Sequence, residues 1–143
     1  MTLVVDTNGL LSLAEPDLRR RALVSHILIN EVQAPVLSPF VAAELDYFLQ
    51  KLQGPDGNRR LLTDLAEGRF DVPCFDASDF AEVRRLNERY RDLGVGIADL
   101  SIVVLAARYR TTRILTFDQR HFRILRPIQG GTFTLLPFDR DVT

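Results

Sequence analysis

From Ile97 to Ala107 the chain holds one charge, Asp99, and one hydroxyl, Ser101, among apolar residues. Those apolar residues fall all round a helical wheel, so a helix here is expected to be buried on most sides. A carboxylate on such a helix is costly unless it is paired, hydrogen-bonded or bound to a metal. Asp99 also falls in the first helical turn, after Gly94 and Gly96. There the helix dipole stabilises an acid by about 0.3–1 kcal/mol. A capping role and a place in a site are both compatible with this position, and three other acids bear on the choice.

The chain has 143 residues, which points to one domain over residues 1–143. A chain of this length buries enough surface to need no covalent staple. Cys74 stands alone, so no disulfide framework or cysteine-type zinc site is expected. No basic leader precedes an apolar run, and nothing approaches the roughly 20 apolar residues of a membrane span. A cytoplasmic protein is the expectation. Net charge is −1, which argues against a surface coated in positive charge. Of the 18 basic residues all but Lys51 are arginine. Arginine makes forked contacts to phosphate that lysine cannot, although base composition of a genome produces the same bias.

Short apolar runs alternate with helical patterns. Leu3 to Val5 reads as a strand buried on both faces and ends at Asp6. A short helix begins near Gly9, with Thr7 or Asn8 as its cap. Pro16-Asp17 opens a longer helix to about Val32, with Leu18, Ala22, Ile27 and Leu28 toward the core. Val36-Leu37 is a second strand. Ser38-Pro39 then starts a helix to about Leu52, serine as N-cap and proline in the first turn. Its apolar stripe is Val41, Leu45, Phe48, Leu49 and Leu52, and Glu44 falls at the margin of that face. A helix through Leu61, Leu62 and Leu65 ends at Gly68. Phe70 to Phe75 reads as a third strand, placed at an edge by Pro73. Ala77 to Leu93 is helical, with Phe80, Val83, Leu86 and Tyr90 inward. The Asp99 helix follows. Arg113 to Phe117 is a fourth strand ending at Asp118. Gln119 to Leu125 is a short helix or turn, and Thr132 to Leu136 is a last strand. This alternation implies an α/β fold, a parallel sheet of about five strands with helices on both faces.

Asp6 and Asp118 therefore share a description, since each directly follows a strand. Open α/β sheets bind ligands beyond the carboxyl ends of their strands. Glu44 and Asp99, on inward helix faces, can point at the same rim. Four carboxylates there would repel one another, at roughly 4 kcal/mol per close pair for an effective dielectric of ~20. A hard divalent cation removes that repulsion, and an all-oxygen set suits Mg²⁺ or Mn²⁺. Such an ion activates water and stabilises charge on a phosphate. His26 and His121 are not spaced as a ligand pair.

Four stretches resemble the ordered motifs of PIN-domain ribonucleases. They are Val4-Val5-Asp6-Thr7-Asn8, Ser38 to Leu45, Ile97 to Ile102, and Ile114 to Phe122. Size and plan look most like the VapC toxins of prokaryotic toxin–antitoxin pairs. The resemblance implies a three-layer PIN-like fold and Mg²⁺-dependent endonucleolytic cleavage of RNA. By motif, Asp6 and Asp99 would be the principal metal ligands, Glu44 and Asp118 would complete the site, and Asn8 would support Asp6 from behind. Many relatives carry one more acid just after the Asp118 position, where this chain has Gln119, Arg120 and His121. The family also implies a homodimer, and a VapB-like antitoxin that inserts a basic side chain into the acidic site. Arg19, Arg20, Arg21, Arg84, Arg85, Arg89 and Arg120 are candidates for contacts to RNA. His121 is a further candidate, or else packs in the short helix. Tyr47 and Tyr90 are expected at core edges.

Other classes fit less well. A receiver-like module wants paired acids at the first strand's end and a lysine at a later one, yet Thr7 follows Asp6 and Lys51 sits in a helix. An aspartyl phosphatase wants a second acid where Asn8 stands. A degenerate PIN-like domain that only binds a partner is the remaining alternative, and the presence of all four acids speaks against it.

Overall fold

A computed structural model describes residues 1–142. Four short strands, β1 (Val4–Val5), β2 (Val36–Leu37), β3 (Arg113–Leu115) and β4 (Thr134–Leu136), form one parallel sheet in the order β2-β1-β3-β4. Val4 lies opposite Val36 and Ile114, and Val5 opposite Leu37 and Leu115. Every residue of the four strands is buried. Continuous burial of this kind is what a parallel sheet covered on both faces requires. β1 and β3 are therefore neighbours, which brings the chain after Val5 beside the chain after Leu115.

The expected third strand is reduced to a single bridge, so the sheet has four strands rather than five. Asp71 alone pairs with Val36, donating from its N–H to the Pro35 carbonyl at 2.9 Å and accepting from the Leu37 N–H at 2.8 Å. Pro73 has no N–H with which to continue that ladder.

The helices are α1 (Thr7–Leu11), α2 (Leu18–Ile29), α3 (Pro39–Gln53), α4 (Arg59–Ala66), α5 (Ala77–Arg89), α6 (Ile97–Arg108) and α7 (Gln119–Phe122). Helix α6 is the centre of the packing. Leu100 to Ala106 are all buried, and the helix touches β1, α3 and α5. Gly9 lets α1 cross the end of β3, since a Cβ there would sit 2.6 Å from the Leu115 carbonyl oxygen.

Several helix details differ from the sequence expectation. Asp6, not Thr7 or Asn8, caps α1. Helix α2 stops at Ile29 instead of Val32, where the Asn30 side chain donates to the His26 carbonyl at 2.7 Å. Its fully buried residue is Val24, whereas Leu18 and Ala22 face solvent. On α3 the stripe is buried at Val41 and Leu45 but exposed at Phe48 and Leu52, and Tyr47 is exposed. Helix α5 ends at Arg89 and a 3-10 turn covers Arg91–Leu93. Phe80 stays exposed and stacks edge-on against Phe40.

At the opposite end of β3 from Asp118, Arg113 is 2% exposed. Its guanidinium is bidentate to Glu31 at 2.8 and 2.9 Å and to Asp141 at 2.7 and 2.8 Å, and it donates to the Met1 carbonyl at 2.7 Å. This one side chain joins both ends of the chain to the residue beyond α2.

Candidate metal centre

Asp6 closes β1 and opens α1 in extended geometry, with φ −98° and ψ 159°. One carboxylate oxygen accepts from the Thr7 N–H at 2.8 Å and the other from the Thr116 hydroxyl at 2.7 Å. Burial pushes its carboxyl up to about 7. The Thr116 and Thr7 hydrogen bonds hold it down, while the Asp99 and Asp118 charges raise it further. Thr116 is a hub that sequence reasoning missed. Besides donating to Asp6, its oxygen accepts from the Asp118 N–H at 2.9 Å and lies 3.2 Å from the Asn8 side-chain oxygen. Asn8 reaches Asp6 through that hydroxyl, and its oxygen also accepts from the Phe117 N–H at 2.9 Å. The available signal was a threonine two residues before an aspartate, the spacing of a hydroxyl-closed turn.

Asp99 behaves differently. Gly96 caps α6 without a side chain, and no donor among the described residues bonds the Asp99 carboxylate. Burial pushes this carboxyl up to about 6. The charges of Asp118 and Glu44 add to the rise and His121 opposes it. A half-buried carboxylate with no hydrogen-bond donor, among like charges, is stabilised by a proton or by a cation.

Asp118 caps α7. One of its oxygens accepts from the His121 backbone N–H at 3.0 Å and the other lies 2.7 Å from His121 Nδ1. Donor atoms of Asp99, Asp118 and His121 lie within 4.8 Å of one another. Glu44 is exposed on α3 and acts on Asp99 through its charge. Its helix is tied to α6 by a buried hydroxyl relay. Ser101 donates to the Ala98 carbonyl at 2.6 Å, so Ser38 donates to Ser101 at 2.6 Å and accepts from the Phe40 N–H at 3.2 Å. Asp99, Asp118 and His121 form the tight group, Asp6 lies close enough to feel the charges of Asp99 and Asp118, and Glu44 is close enough to act on Asp99. His121 neither packs into the core nor faces solvent freely; it faces Asp118.

This donor set of carboxylate oxygens with one imidazole fits a divalent cation. Thr7 adds to the fit. Its hydroxyl, next to Asp6, is buried with no hydrogen-bond partner among the described residues.

The parallel α/β sheet with acids beyond the ends of its paired strands defines an α/β domain with an acidic rim. Residues 3–126 match the PIN domain model, and the chain belongs to that family. It is similar to Ribonuclease VapC26 of Mycobacterium tuberculosis, with 43% identity over 138 residues that cover 94% of this chain and 100% of that protein. Among solved structures it resembles Mycobacterium tuberculosis VapC20, described as a Sarcin-Ricin loop cleaving toxin. The TM-score is 0.73 at 14% identity, covering 82% of this chain and 90% of that one. It also resembles VapBC2 from Rickettsia felis, solved bound to a DNA fragment from their promoter, with a TM-score of 0.66 at 20% identity over 99% of this chain and 100% of that one. These two likenesses concern the fold. Among the described residues no helix is long and apolar enough to cross a membrane.

Proposed function

We propose that this chain is a metal-dependent endoribonuclease and the toxin of a toxin–antitoxin pair, working through Asp6, Glu44, Asp99 and Asp118. The observation that carries this reading is the undonated Asp99 carboxylate among three other acids, in a PIN-family chain with a ribonuclease relative at 43% identity. Asp99 and Asp118 would hold Mg²⁺, or Mn²⁺ in its place, with Asp6 and Glu44 completing the shell directly or through water. The ion would supply an activated water and charge stabilisation at the scissile phosphate.

The protein's own residues prepare that event. Thr116 and the Thr7 N–H fix the Asp6 carboxylate, and Asn8 fixes the turn that carries Asp118. Positive charge must offset this acidic rim for RNA to approach. Arg20 is the best placed candidate, since its guanidinium lies 4.3 Å from the Phe117 ring centre, one residue from Asp118. Arg120 on α7 is exposed, whereas Arg85 pairs with Glu82 and Arg89 lies over Tyr90. In the same reading the protein is a cytoplasmic homodimer. A VapB-like antitoxin silences it by placing a basic side chain where the ion would sit, which the uncompensated Asp99 suits electrostatically.

Incubation of the purified protein with total cellular RNA tests this. Discrete fragments are expected with Mg²⁺, and none with chelator or with Asp99→Asn. Undiminished cleavage by the variant would refute the site. Ion binding without cleavage of any RNA would favour a partner-binding domain.

A further inference from the structure

We propose that His121 is a nitrogen ligand of the ion, so that the centre is a mixed carboxylate–imidazole site tilted away from Mg²⁺ toward transition ions such as Mn²⁺. This rests on reading the acidic rim as a metal centre. Directly after Asp118 the chain carries Gln119, Arg120 and His121. Gln119 and Arg120 are exposed, and the Gln119 side-chain oxygen already accepts from Arg123 at 3.1 Å. One turn of α7 carries position 121 back over its own cap, because residues three apart share a helix face. His121 therefore returns to the rim beside Asp118.

The geometry is that of a prepared ligand. His121 Nδ1 lies 2.7 Å from Asp118, and the same aspartate accepts from the His121 backbone N–H at 3.0 Å. The Nδ1 contact orients the ring, and the backbone contact fixes the turn of α7 that carries it. With Nδ1–H donating to the carboxylate, Nε2 keeps its lone pair and has no hydrogen-bond partner among the described residues. Metal-bound histidines are oriented in this way, by a carboxylate on the nitrogen that does not bind the metal. A carboxylate oxygen of Asp99 lies within 4.8 Å of a His121 ring nitrogen and of an Asp118 oxygen. Mg²⁺ demands an oxygen octahedron and releases its water reluctantly, whereas first-row transition ions accept imidazole.

The test uses the full chain with Mn²⁺ as the probe. Pulsed electron paramagnetic resonance of the bound ion is expected to show a directly coordinated nitrogen. His26 is the only other histidine. It lies on α2 beside Asn30 and not in the tight group. His121→Gln, which keeps a donor for Asp118 but has no ring nitrogen, is expected to lose that signal. It should also bind Mn²⁺ at least about 10-fold more weakly, while Mg²⁺ affinity, read by competition, barely changes. Asp99→Asn should abolish binding and so locate the ion. Mn²⁺ bound at Asp99 without nitrogen coupling in the unsubstituted protein would overturn the role of His121 and leave the carboxylate centre standing. No Mn²⁺ binding at all would overturn both.

Discussion

Asp99→Asn in metal-free protein is the sharpest test of the physical picture, because it separates a site acid from a structural one. The folded protein holds this carboxyl at about 6, against an ordinary 3.8. At about 1.4 kcal/mol per pH unit that gap is about 3 kcal/mol. The sign follows from proton binding. Between pH 4 and 6 the unfolded chain has released the proton and the folded chain has not. Stability therefore falls as pH rises through this window and stays low above it. Asparagine removes the charge and with it the penalty, but its amide inherits a half-dry place with no partner, which returns about 1–2 kcal/mol. The net gain at pH 7.5 is about 1–2 kcal/mol, or a Tm higher by roughly 3–8 °C for a chain of this length.

The assay is a pair of melts in chelator, at pH 7.5 and pH 4, followed by circular dichroism. The variant should melt higher at pH 7.5, and the difference should shrink toward pH 4, where folded Asp99 is protonated. Asp6, held at about 7, gives both proteins a further loss of stability between pH 4 and 7, so the comparison rests on the difference between them. A variant that melts lower at pH 7.5, or a gain that ignores pH, would mean that Asp99 is a structural partner of some group and that the repulsion argument is wrong.

Two other perturbations probe the frame around the site. Thr116→Val leaves the Asp118 N–H and one Asp6 oxygen without the hydroxyl they share. A loss of about 1–3 kcal/mol in urea unfolding is expected, with the Asp6 carboxyl titrating higher still by carbon NMR; an unchanged Asp6 titration would show that the hydroxyl does not hold it. Arg113→Met strands the buried side of Glu31 and is expected to cost about 3–5 kcal/mol, part of it restored by adding Glu31→Gln. RNA cleavage per folded molecule should be untouched, since Arg113 lies at the far end of β3; a selective loss of cleavage would connect the two ends of the strand.

Much of this was legible in the chain because it depends on local pattern. Val4-Val5, Val36-Leu37 and Ile114-Leu115 read as strands, and Ser38-Pro39 as a helix start, since each effect acts within a few residues. Helical spacing puts Asp99 on a partly buried face, as expected, whereas Glu44, expected on an inward face, is exposed. What escaped depends on pairing at long range. Arg113 looks like an exposed arginine until Glu31, 82 residues away, and Asp141, 28 residues away, are brought to it. Thr116 looks like an ordinary strand residue until β1 pairs with β3 and sets Asp6 against it. A regular wheel places Leu18 and Ala22 inward, yet α2 buries only Val24 fully, so periodicity overstates how much of the helix is covered.

The two central aspartates divide the work by their partners. Asp6 is capped by an N–H and a hydroxyl, so its ionised form is partly compensated within the chain, and it can serve the fold whether or not an ion is present. Asp99 has no donor, so its charge opposes folding until something positive arrives. Binding and stability are therefore linked through this one residue. A cation bound only by the folded state raises stability by RT ln(1 + [L]/Kd), about 2.7 kcal/mol at a hundredfold excess over Kd. That is of the same order as the penalty that ionised Asp99 imposes on the folded state. The same balance applies to any cationic group that fits the rim, whether a metal ion or a basic side chain from another protein. An α6 that kept Asp99 satisfied internally would be more stable and would bind neither.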